Sequence, residues 1–175
     1  MAYSVHEYIV HAGSGVCYID DICSMKVQGA GEKEYYKLVP LYENGSTIYT
    51  PFDRAQSIIR KAATNEEIHS VLDDAACAKP QDIADDRARE ESYKALLKES
   101  TCKAWLTVIR TAHSHNQSRT ETGKKPTQMD ERYLTHAENL LCGEAALALG
   151  IEKERVKEYI ADYIESKNKS HAAAE

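Results

Sequence analysis

A chain of 175 residues, 42% hydrophobic and 29% charged, has apolar material for one ordinary domain or two small ones. Its net charge of −6 argues against bulk affinity for nucleic acid, and no apolar run reaches the length of a membrane span. Met1-Ala2-Tyr3-Ser4-Val5 lacks the basic-then-apolar layout of a signal peptide, which predicts a cytoplasmic protein.

From the N-terminus, Tyr8-Ile9-Val10, Val16 to Cys23, Tyr35 to Leu41 and Thr47 to Thr50 read as strands, being rich in β-branched and aromatic residues. Asn44-Gly45 has the composition of a type I′ hairpin turn between the last two. Gly13-Ser14-Gly15 lacks the Walker lysine and reads as a tight turn, not a phosphate loop. The period changes near residue 52. Pro51-Phe52-Asp53 breaks the hairpin, and Arg54 to Ala63 reads as a short helix with Ile58 and Ile59 facing inward.

Beyond it, Thr64 three residues before Glu67 fits a capping box, and Ile68, Val71, Leu72 and Ala75 form one helical stripe. Residues 77–84, with Pro80, read as a linker. From Asp85, Tyr93, Leu96 and Leu97 form a second stripe; Ser100 or Thr101 then caps a helix carrying Trp105, Val108, Ile109 and Ala112. Residues 114–127 are polar, contain Gly123 and Pro126, and read as a loop. Met129 to Leu149 is a long helix stopped by Gly150, Lys153 to Ser166 a last one, and 167–175 a frayed tail. The predicted organisation is a β-rich module over 1–63, a helix and linker over 64–84, a helical domain over 85–166, and the tail. The predicted class is α+β, a small sheet followed by an all-α bundle.

The candidate chemistry is sparse. Cys17, Cys23, Cys77, Cys102 and Cys142 are odd in number and contain no Cys-x-x-Cys pair, so they encode neither a disulfide framework nor a zinc site and read as buried free thiols. His113 and His115 stand two apart on a helix and point away from each other. A metal-dependent enzyme built on His113, His115 and His136 is the weakest of three readings. No catalytic arrangement and no cofactor are predicted. Trp105, the only tryptophan, falls on an apolar stripe and reads as core. The charge is uneven, however. Residues 102–132 hold Lys103, Arg110, Arg119, Lys124, Lys125 and Arg132 against Glu121, Asp130 and Glu131. Such a patch on an acidic protein gives weak, salt-sensitive phosphate contact, and needs a second anchor to act at a defined place.

One ordered set of motifs resembles a known family. It comprises Tyr8-x-Val10-x-x-x-Ser14-Gly15-Val16-Cys17-x-Ile19-Asp20-Asp21-Ile22, Glu34-Tyr35-Tyr36-x-Leu38-x-Pro40, Thr47-x-Tyr49-x-Pro51 and Ile59-Arg60. Further on come Tyr93-Lys94-x-x-Leu97, Ile109-Arg110, Gly123-Lys124-Lys125 and Ala137-Glu138-x-Leu140-Leu141-x-Gly143-Glu144-x-Ala146. Together they resemble the CarD family of bacterial transcription regulators, over residues 3 to about 164, and the first group also resembles the polymerase-interaction module of transcription-repair coupling factors. The resemblance implies a Tudor-like β-barrel that binds the β subunit of RNA polymerase. It also implies a helical domain resting on promoter DNA and adjusting open-complex stability, without catalysis or cofactor. On this reading Met25, Ile48 and Tyr49 meet polymerase, and Arg87, Arg89, Arg110, Arg119, Lys124 and Lys125 meet DNA phosphates non-specifically. Three positions depart from the family. His6-Glu7 replaces the usual Gly-Asp, Met25 and Tyr49 stand where arginines are common, and no tryptophan precedes the first helix of the second domain. A protein-interaction adaptor that never touches DNA is therefore the alternative.

Overall fold

The computed structural model describes residues 3–27, 29, 31–43, 45–77 and 80–172. The chain forms two compact units, Met1–Ala62 and Ala63–Glu175.

In the first unit, β1 (Tyr8–His11), β2 (Gly15–Val27), β3 (Gly31–Pro40) and β4 (Ile48–Pro51) precede α1 (Phe52–Ile58) and β5 (Ile59–Lys61). All neighbours pair antiparallel, in the order β4-β3-β2-β1-β5. The fold is thus an antiparallel sheet, but β4 and β5 remain at its two edges and no barrel closes. Side-chain alternation puts Ile9, Cys17, Ile19, Tyr36 and Leu38 on one face, where Ala55 and Ile59 complete the core. A bulge between Ile19 and Asp21 shifts the register. Without it Asp21 would follow Cys17 and Ile19 onto the apolar face; with it Ile22 packs there instead.

The helix expected over 54–63 is shorter. It stops at Ile58, and Ile59–Lys61 joins the sheet as β5, with Val10 opposite Arg60. Ile58-Ile59 suits either period, and pairing with β1 decides for the strand. Residues 41–47 connect β3 to β4, a longer link than a two-residue turn; Asn44 lies outside the described residues.

In the second unit, α2 (Asn65–Cys77), α3 (Asp86–Glu99), α4 (Cys102–Glu121) and α5 (Gln128–Leu149) are followed by a 3-10 turn (Lys153–Arg155) and α6 (Val156–Ala172). The capping box forms as read: the Glu67 amide donates to Thr64 Oγ1 at 3.2 Å, and the Thr64 amide to Glu67 Oε2 at 2.8 Å. α2, the helix read within 64–84, packs onto α6 and α5 inside this unit. The buried Glu144 of α5 accepts the Ala63 amide at 2.7 Å and the Cys102 thiol at 3.1 Å, which fixes the approach to α2. Trp105 is fully buried.

Two boundaries differ from expectation. α4 runs on to Glu121, so only 122–127 is loop. The stretch from Ser114 is polar but holds no breaker before Gly123, and the Gln117 to Glu121 hydrogen bond of 3.0 Å spans a helical turn. α6 continues to Ala172, so residues 167–172 are helical where a frayed tail was expected. Cys17, Cys102 and Cys142 are buried free thiols and Cys23 is half-buried. Burial pushes Cys17 up to about 12 and raises Cys142 as well. Among the described residues no helix is long and apolar enough to cross a membrane.

Candidate functional site

Each unit carries one candidate surface. In the sheet unit, strand register groups the residues. Met25 pairs with Lys33, Cys23 with Tyr35 and then Pro51, and Asp21 with Lys37 and then Tyr49. Directly paired residues share a face, so these three cross-strand rows lie opposite the apolar core. Tyr49 is 47% exposed on the edge strand β4. Lys37 Nζ reaches Asp20 at 2.6 Å and Lys33 Nζ reaches Asp53 at 2.7 Å; hydrogen bonding to those carboxylates raises both lysines above their ordinary value. Tyr18 pairs with Val39 on the same face and stacks obliquely with Tyr8, whose ring is also exposed, at 5.4 Å between centroids.

The structure therefore brings Met25 and Tyr49 onto one face and separates Ile48 from them. Ile48, half-buried on the edge strand, points to the other side and packs against the core. Tyr35 and Lys37 share the face of Met25 and Tyr49 and were not expected there. Their signal was the alternation Lys33-x-Tyr35-x-Lys37 within β3.

In the helical unit the six basic candidates separate. Lys124 and Lys125 are exposed in the 122–127 loop. Arg119, in the last turn of α4, lays its Nε against Lys125 O at 2.8 Å. Arg110 sits about 13 Å back along α4, half-buried, and donates Nη1 to Ala75 O at 2.5 Å. Arg87 is exposed in the first turn of α3, 3.3 Å from Glu91.

Arg89 cannot meet a phosphate, because it is fully buried. Its guanidinium grips buried Asp130 with two bonds, Nε to Oδ1 at 2.9 Å and Nη2 to Oδ2 at 3.1 Å. Nη2 also reaches Asp86 at 2.6 Å, and Nη1 donates to Ile83 O at 2.8 Å. The Tyr93 hydroxyl donates to Asp130 Oδ1 at 2.8 Å, His115 Nδ1 lies 2.8 Å from Oδ2, and the Thr127 hydroxyl donates to the same oxygen. Burial alone would raise the Asp130 carboxyl, but bonds from Arg89, Thr127, Tyr93 and His115 outweigh it and hold the group at about 2. Burial and the neighbouring carboxylate push Tyr93 up. This network ties α3, α4 and the start of α5 together; it is scaffold, placed directly beneath the basic loop. The sequence did hold a signal for it, since Arg89 lies four residues before Tyr93 and thus on the apolar stripe.

His113 and His136 are exposed, and His115 is engaged with Asp130. Among the described residues no three His, Cys, Asp or Glu side chains converge as a metal site would require.

An open antiparallel sheet with an exposed edge strand offers unpaired backbone groups to which a partner's strand can add. Residues 3–63, about a third of the chain, match the family model of the CarD-like/TRCF RID domain. The sheet unit thus resembles a CarD-like/TRCF RID domain, a likeness that supports interaction with RNA polymerase. No curated protein matches the chain.

Proposed function

We propose that this protein is a CarD-like transcription regulator, cytoplasmic, that docks through its sheet unit on the β subunit of RNA polymerase. Its helical unit contacts promoter DNA and so adjusts open-complex stability. The observation that carries the polymerase half is the family match over residues 3–63, which coincides with the unit that presents Met25 and Tyr49 on one face. The DNA half draws support from Lys124 and Lys125, exposed side by side on a loop held by α4 and α5. Docking raises the local concentration of this loop at the promoter, so that two lysines suffice where free affinity would fail.

Capture of purified polymerase by the full chain tests the docking face. Tyr49→Asp and Met25→Asp place a charge in the centre of the proposed contact and should weaken capture roughly tenfold or more, as loss of an aromatic anchor does. Ile48→Val, on the core side, should leave it unchanged. Equal capture by all variants would reject this face as the docking surface.

The second reading, an adaptor without DNA contact, is favoured by the net charge of −6 and by the absence of a tryptophan before α3. Footprinting of a polymerase–promoter complex with and without the full chain separates the two, because only the first reading extends protection.

A further inference from the structure

The 122–127 loop is built with more internal bonding than an exposed connection needs. The Thr122 amide reaches Arg119 O at 3.1 Å, the Gly123 amide reaches Thr120 O at 2.9 Å, and the Lys124 amide returns to Arg119 O at 2.9 Å. Gly123 makes that reversal possible, since its φ of 75° is one that side-chain-bearing residues rarely adopt. At the far end, the Thr127 amide donates to Asn116 Oδ1 at 3.2 Å and the Thr127 side chain caps α5 through the Asp130 amide at 3.0 Å. A second side chain of α4 also bridges the loop. Arg119 Nε donates to Lys125 O at 2.8 Å, with the side chain folded back and half-buried.

We propose that Arg119 is a positioning residue, a strut that holds Lys124 and Lys125 toward a phosphodiester backbone, and not itself a phosphate ligand. The inference rests on the DNA reading above and refines it: of the residues gathered at this loop, two lysines meet the ligand and the arginine shapes their platform. The donor that matters is Nε, in the chain of the side chain rather than at its fork. A glutamine places its Nε2–H at the same number of bonds from Cα, and so keeps the bond to Lys125 O while discarding the charge. A methionine of similar length keeps neither.

That difference gives the test. Binding of the full chain to a fluorescent promoter duplex is titrated over a range of salt concentrations for the wild type, R119Q, R119M and the double variant K124Q/K125Q. The strut requires R119Q to bind within about twofold of wild type, one screened charge being lost. R119M should bind about three- to tenfold more weakly, the worth of one hydrogen bond, with the salt slope kept because both lysines remain. In the free protein, R119M should also speed amide exchange at Lys124 and Thr127, and R119Q should not. R119Q and R119M falling together, with a slope flatter by about one, would make Arg119 a phosphate ligand and overturn the strut. No binding by the wild type, or a K124Q/K125Q variant with unaltered affinity and slope, would overturn the DNA reading itself and the strut's role with it.

Discussion

Arg89 carries the same charge as Lys124 and does the opposite work. An arginine in the interior must be matched on every donor, because transferring an unpaired cation out of water costs several kcal/mol. Asp130, Asp86 and the Ile83 and Ala84 carbonyls supply those partners. Lysine cannot substitute, since a point charge does not reproduce the two parallel bonds to Asp130. Arg89→Met should destabilise the protein by about 3–5 kcal/mol in urea unfolding, the cost of leaving a buried carboxylate uncompensated, and Arg89→Lys by less, since it keeps the charge and loses the paired bonds. The network also has a pH signature. Asp130 titrates at about 2 in the folded chain against an ordinary 3.8, so the unfolded chain takes up the proton first. Its contribution to stability is therefore complete above 3.8 and disappears as the pH falls toward 2. Unfolding midpoints measured across that window should fall less steeply for Asp130→Asn than for the wild type. Parallel slopes would mean that Asp130 keeps its ordinary affinity for the proton.

At the scale of elements, Thr127 joins the loop to the scaffold. It accepts the Asp130 amide as the N-cap of α5 and donates its hydroxyl to the Asp130 carboxylate. Thr127→Ala should cost about 1–2 kcal/mol, and Thr127→Ser, which keeps both bonds, only a few tenths. Equal losses in thermal unfolding would show that the methyl group, not the cap, is what counts. Elements defined by their own residues were legible in the sequence: the capping box of α2, the glycine stop after α5, and the stripe that buries Trp105. Elements defined by a partner were not. The bulge at Asp20 depends on how β2 meets β3, and nothing in Ile19-Asp20-Asp21-Ile22 alone says which aspartate is the extra residue. The last turns of α4 are polar on every side, so they have no period to read, and they persist because no residue before Gly123 stops them. The candidate site divides in the same way. Lys124 and Lys125 are exposed because a glycine turn puts them there, whereas the burial of Arg89 depends on Asp130, 41 residues away.

For the whole molecule, the charge distribution and the two-unit organisation bear on one question, whether the helical unit acts on DNA at all. Repulsion from a chain of net charge −6 opposes free binding to a duplex. On the proposed function, a tether to polymerase would remove that obstacle, since the loop would then sample DNA at the effective concentration of a linked module and not at that of the protein in solution. The two activities should accordingly separate by unit. In the full chain, Lys124→Ala with Lys125→Ala should leave polymerase capture intact and reduce promoter protection by an amount that shrinks as salt is raised, because exposed lysine–phosphate contacts are screened. Tyr49→Asp should weaken capture and protection together, because without docking the loop has only its weak free affinity. If the lysine variant protected promoter DNA as fully as wild type at every salt concentration while Tyr49→Asp weakened protection, protection would follow from polymerase binding alone. The adaptor reading would then hold. Loss in the lysine variant at unchanged capture can only come from contact between the helical unit and DNA.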